Sequence, residues 1–166
     1  MTDTTHSDTR LTHTDDSGRA RMVDVSAKAV TTRTAVASGT ITMRAETLAA
    51  IRANEIAKGD VLGVARIAGV LAAKRTAELV PLCHSLPLAH VDVAFDADAS
   101  LPGIRATATA TTIAQTGVEM EAITAVAIAL VTIYDMAKSA DRAMVIGDVH
   151  LVSKTGGKSG DYTAPR

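Results

Sequence analysis

Tryptophan is absent, and Phe95, Tyr134 and Tyr162 are the only aromatic residues, so the chain has few platforms on which nucleic-acid bases could stack. A single cysteine, Cys83, excludes an intrachain disulfide and a zinc cage of several thiolates. It suits a reducing compartment, and the cytoplasm is the expected location. The net charge of −1 supplies no broad basic surface, which argues against nucleic acid as a partner. An anionic ligand would have to meet a local cluster of Lys and Arg. No apolar leader segment is visible in the first twenty residues, and the longest apolar-rich run, Ala122 to Tyr134, falls short of the roughly 20 residues a membrane span needs. A core helix and no membrane partner are expected.

What the chain does have is aliphatic content. With 47% hydrophobic residues in a length of 166, one domain with a substantial core is expected. Residues 1–21 are polar and hydroxyl-rich, which predicts a disordered tail. The folded domain is expected over 22–162, followed by a short C-terminal tail, 163–166.

Thr31 to Arg44 is rich in Thr, Val and Ile and reads as a strand, with Ala45 to Ala53 a short helix after it. Asp60 is placed to cap a helix running to about Val80, with Leu62, Val64, Ile67, Val70 and Leu71 as its apolar face. Leu88–Asp96 and Ile104–Thr112 alternate apolar and polar residues around the Pro102-Gly103 turn, the pattern of a hairpin. A long helix follows from about Glu119 to Lys138, then a strand from Ala143 to Lys154. Strand, two helices, two strands, helix, strand is the order of an α+β fold. It predicts a ferredoxin-like plait, an antiparallel sheet with helices packed on one face.

The long helix holds the first chemical signal. Between Val118 and Ala137 its only charges are Glu119, Glu121 and Asp135, so it should be buried nearly all round with its charges at the ends. Glu121 and Asp135 lie about 21 Å apart along the axis. One small reacting centre cannot touch both within a single helix, so either the ligand is long or a symmetric neighbour completes the site. Asp135 and Lys138, three apart, share a face. The ordinary alternatives are an ion pair at a helix C-terminus and, for Glu119 and Glu121, charge favoured by the helix dipole. Pro81-Leu-Cys-His-Ser-Leu-Pro87 presents a thiol and an imidazole; the adjacent Cys83 and His84 side chains diverge, which disfavours a catalytic Cys/His pair. Lys154-Thr-Gly-Gly-Lys-Ser-Gly160 lacks the spacing of a Walker loop, yet a glycine-rich loop with two lysines can cover phosphates.

These segments, with Met22-Val-Asp-Val-Ser26, Lys58-Gly-Asp60, Ala65-Arg-Ile-Ala-Gly69, Ala73-Lys-Arg-Thr76, Gly117-Val-Glu-Met-Glu-Ala122 and Thr132-Ile-Tyr-Asp-Met136, occur in unbroken order. The chain resembles the cyclic pyranopterin monophosphate synthases, the MoaC family of molybdenum cofactor biosynthesis. The resemblance implies a lyase that converts 3′,8-cyclo-7,8-dihydroguanosine 5′-triphosphate, derived from GTP, to cyclic pyranopterin monophosphate and releases pyrophosphate. It implies a homohexamer, a trimer of dimers with active sites at the dimer interface. Asp135 is the implied acid/base and Lys138 its catalytic neighbour. Leu82, Cys83, His84, Met120 and Glu121 match substrate-contacting stretches; Glu119, Lys58, Lys154 and Arg33 match further pocket residues, and Lys158 is a candidate phosphate contact. No protein-bound metal is expected, although Mg²⁺ can travel with a triphosphate. Two departures stand out: Ser85 where the family usually has proline, and Ala137 where cysteine is common.

A non-catalytic nucleotide or pterin binder on the same plait is the competing reading; it would release no pyrophosphate from the cyclised substrate. An RNA-binding plait would need aromatics on its hairpin strands, which carry only Phe95.

Overall fold

The computed structural model describes residues 17–98, 100–158 and 160–165. The tail expected over 1–21 therefore lies, as far as residue 16, outside the described residues, as do Ser159 of the glycine-rich loop and Arg166.

The chain runs β1 (Thr31–Thr42), α1 (Ala45–Arg52), α2 (Val61–Lys74), α3 (Thr76–Leu79), β2 (Leu88–Asp98), β3 (Gly103–Ala114), α4 (Glu119–Ala137), β4 (Val145–Thr155) and β5 (Tyr162–Thr163). The sheet order is β2-β3-β1-β4-β5 and every neighbouring pair is antiparallel. Its first four strands have the order of a ferredoxin-like plait, as expected. The two-residue β5 had no sequence signal.

Strand alternation puts Ala35, Ala37 and Gly39 of β1 opposite Ala110, Ala108 and Ala106 of β3, all buried on the helix-facing side. This floor of small side chains lets α4 lie close to the sheet. Val126, Leu130 and Ile133 pack onto it, each fully buried. Length and composition alone would let α4 cross a bilayer, but here it packs on the sheet and against α2.

Three expectations about the helices need correction. The helix starting at Asp60 does begin there, with the Asp60 carboxylate accepting the Gly63 N–H at 2.9 Å. It breaks at Arg75, however, so the segment to Val80 is two helices. Its predicted apolar face turns inward only in part: Leu62 and Val70 pack against the core, but Val64, Ile67 and Leu71 are 43%, 63% and 49% exposed, and the buried positions are Val61, Ala65, Gly69, Ala72 and Ala73. Close approach of α4 is the reason. A Cβ on Gly69 would stand 2.9 Å from the Ala125 carbonyl oxygen and 3.3 Å from the Ala129 Cβ, so only a small-residue stripe admits the neighbouring helix. On α4 itself, burial is incomplete: Val131 is 50% exposed, and Ile123, Ala127 and Ile128 are half-buried.

Candidate active site

The two ends of α4 are built differently. At the C-terminal end, the loop after α1 turns through Asn54 and Gly59, is pinned by the buried Ile56, and delivers Lys58. Lys58 Nζ donates to Asp135 Oδ2 at 2.7 Å and to the Asp135 backbone carbonyl at 2.9 Å. Lys138 Nζ donates to the other carboxylate oxygen, Oδ1, at 2.6 Å. The hydrogen bonds from Lys138 and then Lys58 hold the Asp135 carboxyl down, to a pKa of about 2. It is therefore a carboxylate at neutral pH. The three side chains are about half exposed, so this charged triad stands open to solvent.

At the N-terminal end, the sheet runs past the helix, and helix-facing positions there carry cations instead of alanine. Arg33 lies two residues before Ala35 on β1, and Lys154 pairs with Ala35 from β4. Arg33 is fixed by donating from Nε to the Ala114 carbonyl at 3.0 Å and from Nη2 to the Gln115 carbonyl at 3.2 Å. Lys154 Nζ donates to Glu119 Oε1 at 2.8 Å, tying β4 to the first turn of α4. The glycine-rich loop closes over Arg33: Gly157 has φ +87, and a Cβ there would collide with the guanidinium. Only glycine serves at that position.

Two cationic clefts meet here. One of about 180 Å³ is lined by Lys28, Arg33, Gln115, Glu119 and Lys154. The other, open and about 950 Å³, shares Lys28 and Arg33 and reaches Lys158. Beside them a third cleft of about 290 Å³ is lined by Leu82, Cys83, His84, Met120 and Glu121, with Glu119 at its edge. His84 Nε2 lies 2.8 Å from the Val23 carbonyl. A carbonyl can only accept, so Nε2 donates and Nδ1 is left for a ligand. Glu121 is 4% exposed, and burial, with the Glu119 charge adding to it, pushes its carboxyl above the usual range. Burial also raises the Cys83 thiol, with Glu121 contributing. A thiol held in its protonated form is a poor nucleophile.

The structure thus gathers Leu82, Cys83, His84, Glu119, Met120, Glu121, Arg33, Lys154 and Lys158 around one end of α4, and Lys58, Asp135 and Lys138 at the other. It does not join the two groups within one chain. Lys28 and Gln115 were not singled out from the sequence: a lone lysine after Met22–Ser26 and a glutamine just beyond β3 have no distinguishing spacing. The pairing of β1 with β3 brings Gln115 beside Arg33, and the turn before β1 brings Lys28 into the same cleft.

An antiparallel plait with a cation-lined cleft, a buried acid and a lysine-clamped carboxylate defines a protein that binds an anionic small molecule and can move protons on it. The MoaC family model matches residues 22–157. The chain is 60% identical over 156 residues to the cyclic pyranopterin monophosphate synthase of Novosphingobium aromaticivorans, covering 93% of this chain and 97% of that protein. It is 58% identical over 154 residues to the synthase of Methylobacterium sp., covering 93% and 96%. With the synthase of Chloroflexus aurantiacus it shares 56% over 156 residues, covering 94% and 96%. The chain belongs to the MoaC family.

Proposed function

We propose that the chain is a cyclic pyranopterin monophosphate synthase, a lyase of molybdenum cofactor biosynthesis acting on 3′,8-cyclo-7,8-dihydroguanosine 5′-triphosphate. The observation that carries this reading is the division of labour along α4: cations fit for a polyphosphate at one end, a clamped carboxylate at the other.

In this reading the triphosphate lies in the clefts lined by Lys28, Arg33, Lys154 and Lys158. A ribose hydroxyl attacks the α-phosphorus, the bond to the bridging oxygen breaks, and pyrophosphate leaves. Fixed cations offset the charge that develops on the transferring oxygens. Opening and reclosure of the rings needs a base and an acid. Asp135, ionised at neutral pH, serves as base, with Lys138 and Lys58 holding it; Glu121, whose carboxyl burial pushes above the usual range, is the group assigned to donate. His84 Nδ1 faces the substrate. The cleft is cationic, which fits phosphate oxygens and not a bare divalent ion, so any Mg²⁺ would arrive on the triphosphate.

The separation of about 21 Å between Glu121 and Asp135 supports a site completed by a second copy of the chain. The exposed Val64, Ile67 and Leu71 stripe on α2 supplies apolar surface for contact between copies. A homohexamer assembled as a trimer of dimers, with sites at the dimer interface, is part of the proposal, and the separated ends of α4 and this exposed stripe support it. A cytoplasmic location is part of it too.

The test is direct: incubate the purified protein with the cyclised GTP intermediate and measure pyrophosphate and cyclic pyranopterin monophosphate. Binding without pyrophosphate release would make the chain a binder and end the proposal.

A further inference from the structure

Gln115 stands where three parts of the site meet. Its backbone carbonyl receives the Arg33 guanidinium at 3.2 Å. Its side-chain Nε2 donates to the Ser26 carbonyl at 3.0 Å. It lines both the cationic cleft with Lys28 and a neighbouring cleft of about 290 Å³ that contains His84.

The segment that Gln115 grips, from Val23 to Val30, is exposed or half-buried and forms no helix or strand. Its internal bonds are local: Asp24 accepts the Ser26 N–H, and Val25 accepts the Lys28 N–H, both at 2.9 Å. Among the described residues, two side chains tie this compact turn to the body of the fold by hydrogen bonds, His84 at Val23 and Gln115 at Ser26. Lys28 lies two residues beyond the second tie and projects into both cationic clefts.

We propose that Gln115 is a positioning residue of the synthase, its carboxamide holding the strap that sets Lys28 in the anion cleft and Val23 against His84. This rests on the proposed activity. The group facing the Ser26 carbonyl must donate, because a carbonyl offers no proton, and the reach must span a four-atom side chain; asparagine is too short, ionised glutamate has no donor, and aspartate fails on both counts. Freed of this tie, the strap keeps, among the described residues, the side-chain contact from His84, and Lys28 loses its direction toward the phosphates.

The experiment is a double-mutant cycle on the full chain. Gln115→Leu and, as a second unbranched replacement without a donor, Gln115→Met are each combined with Lys28→Ala. Affinity for inorganic tripolyphosphate is read by calorimetry, alongside KM and kcat with the cyclised substrate. Either single replacement should weaken tripolyphosphate binding and raise KM about tenfold, with a smaller change in kcat; in the Lys28→Ala background it should add less than twofold. Wild-type affinity in both Gln115 variants, or losses that add fully to that of Lys28→Ala, would overturn the proposal. Because tripolyphosphate binding needs no turnover, absence of pyrophosphate release by the wild type would sink the activity while leaving the strap separately tested.

Discussion

Lys58 reaches both the carboxylate and the backbone carbonyl of Asp135, at 2.7 Å and 2.9 Å. One ammonium group from a distant loop therefore caps the last turn of α4 and helps hold its carboxylate ionised. Removing either partner should leave the fold intact, since both are about half exposed. Asp135→Asn is expected to lower kcat by roughly 100-fold or more, the scale of a lost general base, and Lys58→Met should follow it. Pyrophosphate release under saturating substrate, with assembly checked by light scattering, measures this. Near-normal turnover in Asp135→Asn would remove the assigned role.

The pH dependence of stability should separate the two carboxylates. Asp135 is lowered from 3.8 to about 2, so its contribution is complete above 3.8 and is lost as pH falls toward 2. Glu121 is raised above 4.5. The folded state then holds its proton more tightly than the unfolded chain, so stability declines as pH rises from 4.5 through the raised value and is flat beyond it. Denaturation midpoints measured from pH 3 to pH 8 should show this decline in the wild type and lose it in Glu121→Gln. An identical slope in both proteins would contradict the burial of that carboxyl.

Strand alternation in the chain was enough to put Val91, Val93 and Phe95 on one face, because a period of two leaves no choice, and the succession of strands and helices pointed to the plait. Helix α2 was harder. Its large apolar residues suggested the core face, yet Ile67 is 63% exposed and Gly69 is buried, since the spacing between α2 and α4 decides which stripe turns inward. That spacing is a property of the pair and is not written in either helix. The ends of α4 were legible for a related reason: charge on an apolar rod is costly anywhere except at its rim. The Asp135–Lys138 pair followed from helical geometry, whereas Lys58, arriving from 77 positions away, came only from family resemblance. Lys28 and Gln115 were invisible, because their partners are backbone carbonyls or open clefts that no residue pattern announces.

The α2–α4 contact itself should be intolerant of volume. A Cβ on Gly69 meets the Ala125 carbonyl at 2.9 Å, and backbone cannot yield as a flexible side chain would. Gly69→Ala is expected to cost about 1–3 kcal/mol despite alanine's better helix propensity. Urea denaturation gives the value directly, and a more stable variant would show that the two helices can separate without penalty.

If the site is completed by a second chain, defects at opposite ends of α4 should complement. Asp135→Asn removes the clamped carboxylate; Glu121→Ala removes the buried acid. Each homomeric assembly carries the same defect in every site. In a mixed dimer, one site draws both altered residues and the other draws neither, because each site takes its Asp135 from one chain and its Glu121 from the partner. Random association makes half the dimers mixed, with one intact site in two. Co-refolding equal amounts should thus restore about a quarter of wild-type activity, against almost none in either variant alone. Sites contained within single chains would give no recovery at all, since every chain in the mixture carries a defect. Pyrophosphate release before and after co-refolding distinguishes the two arrangements, and the ratio of the two variants can be varied to confirm that recovery peaks at equal amounts.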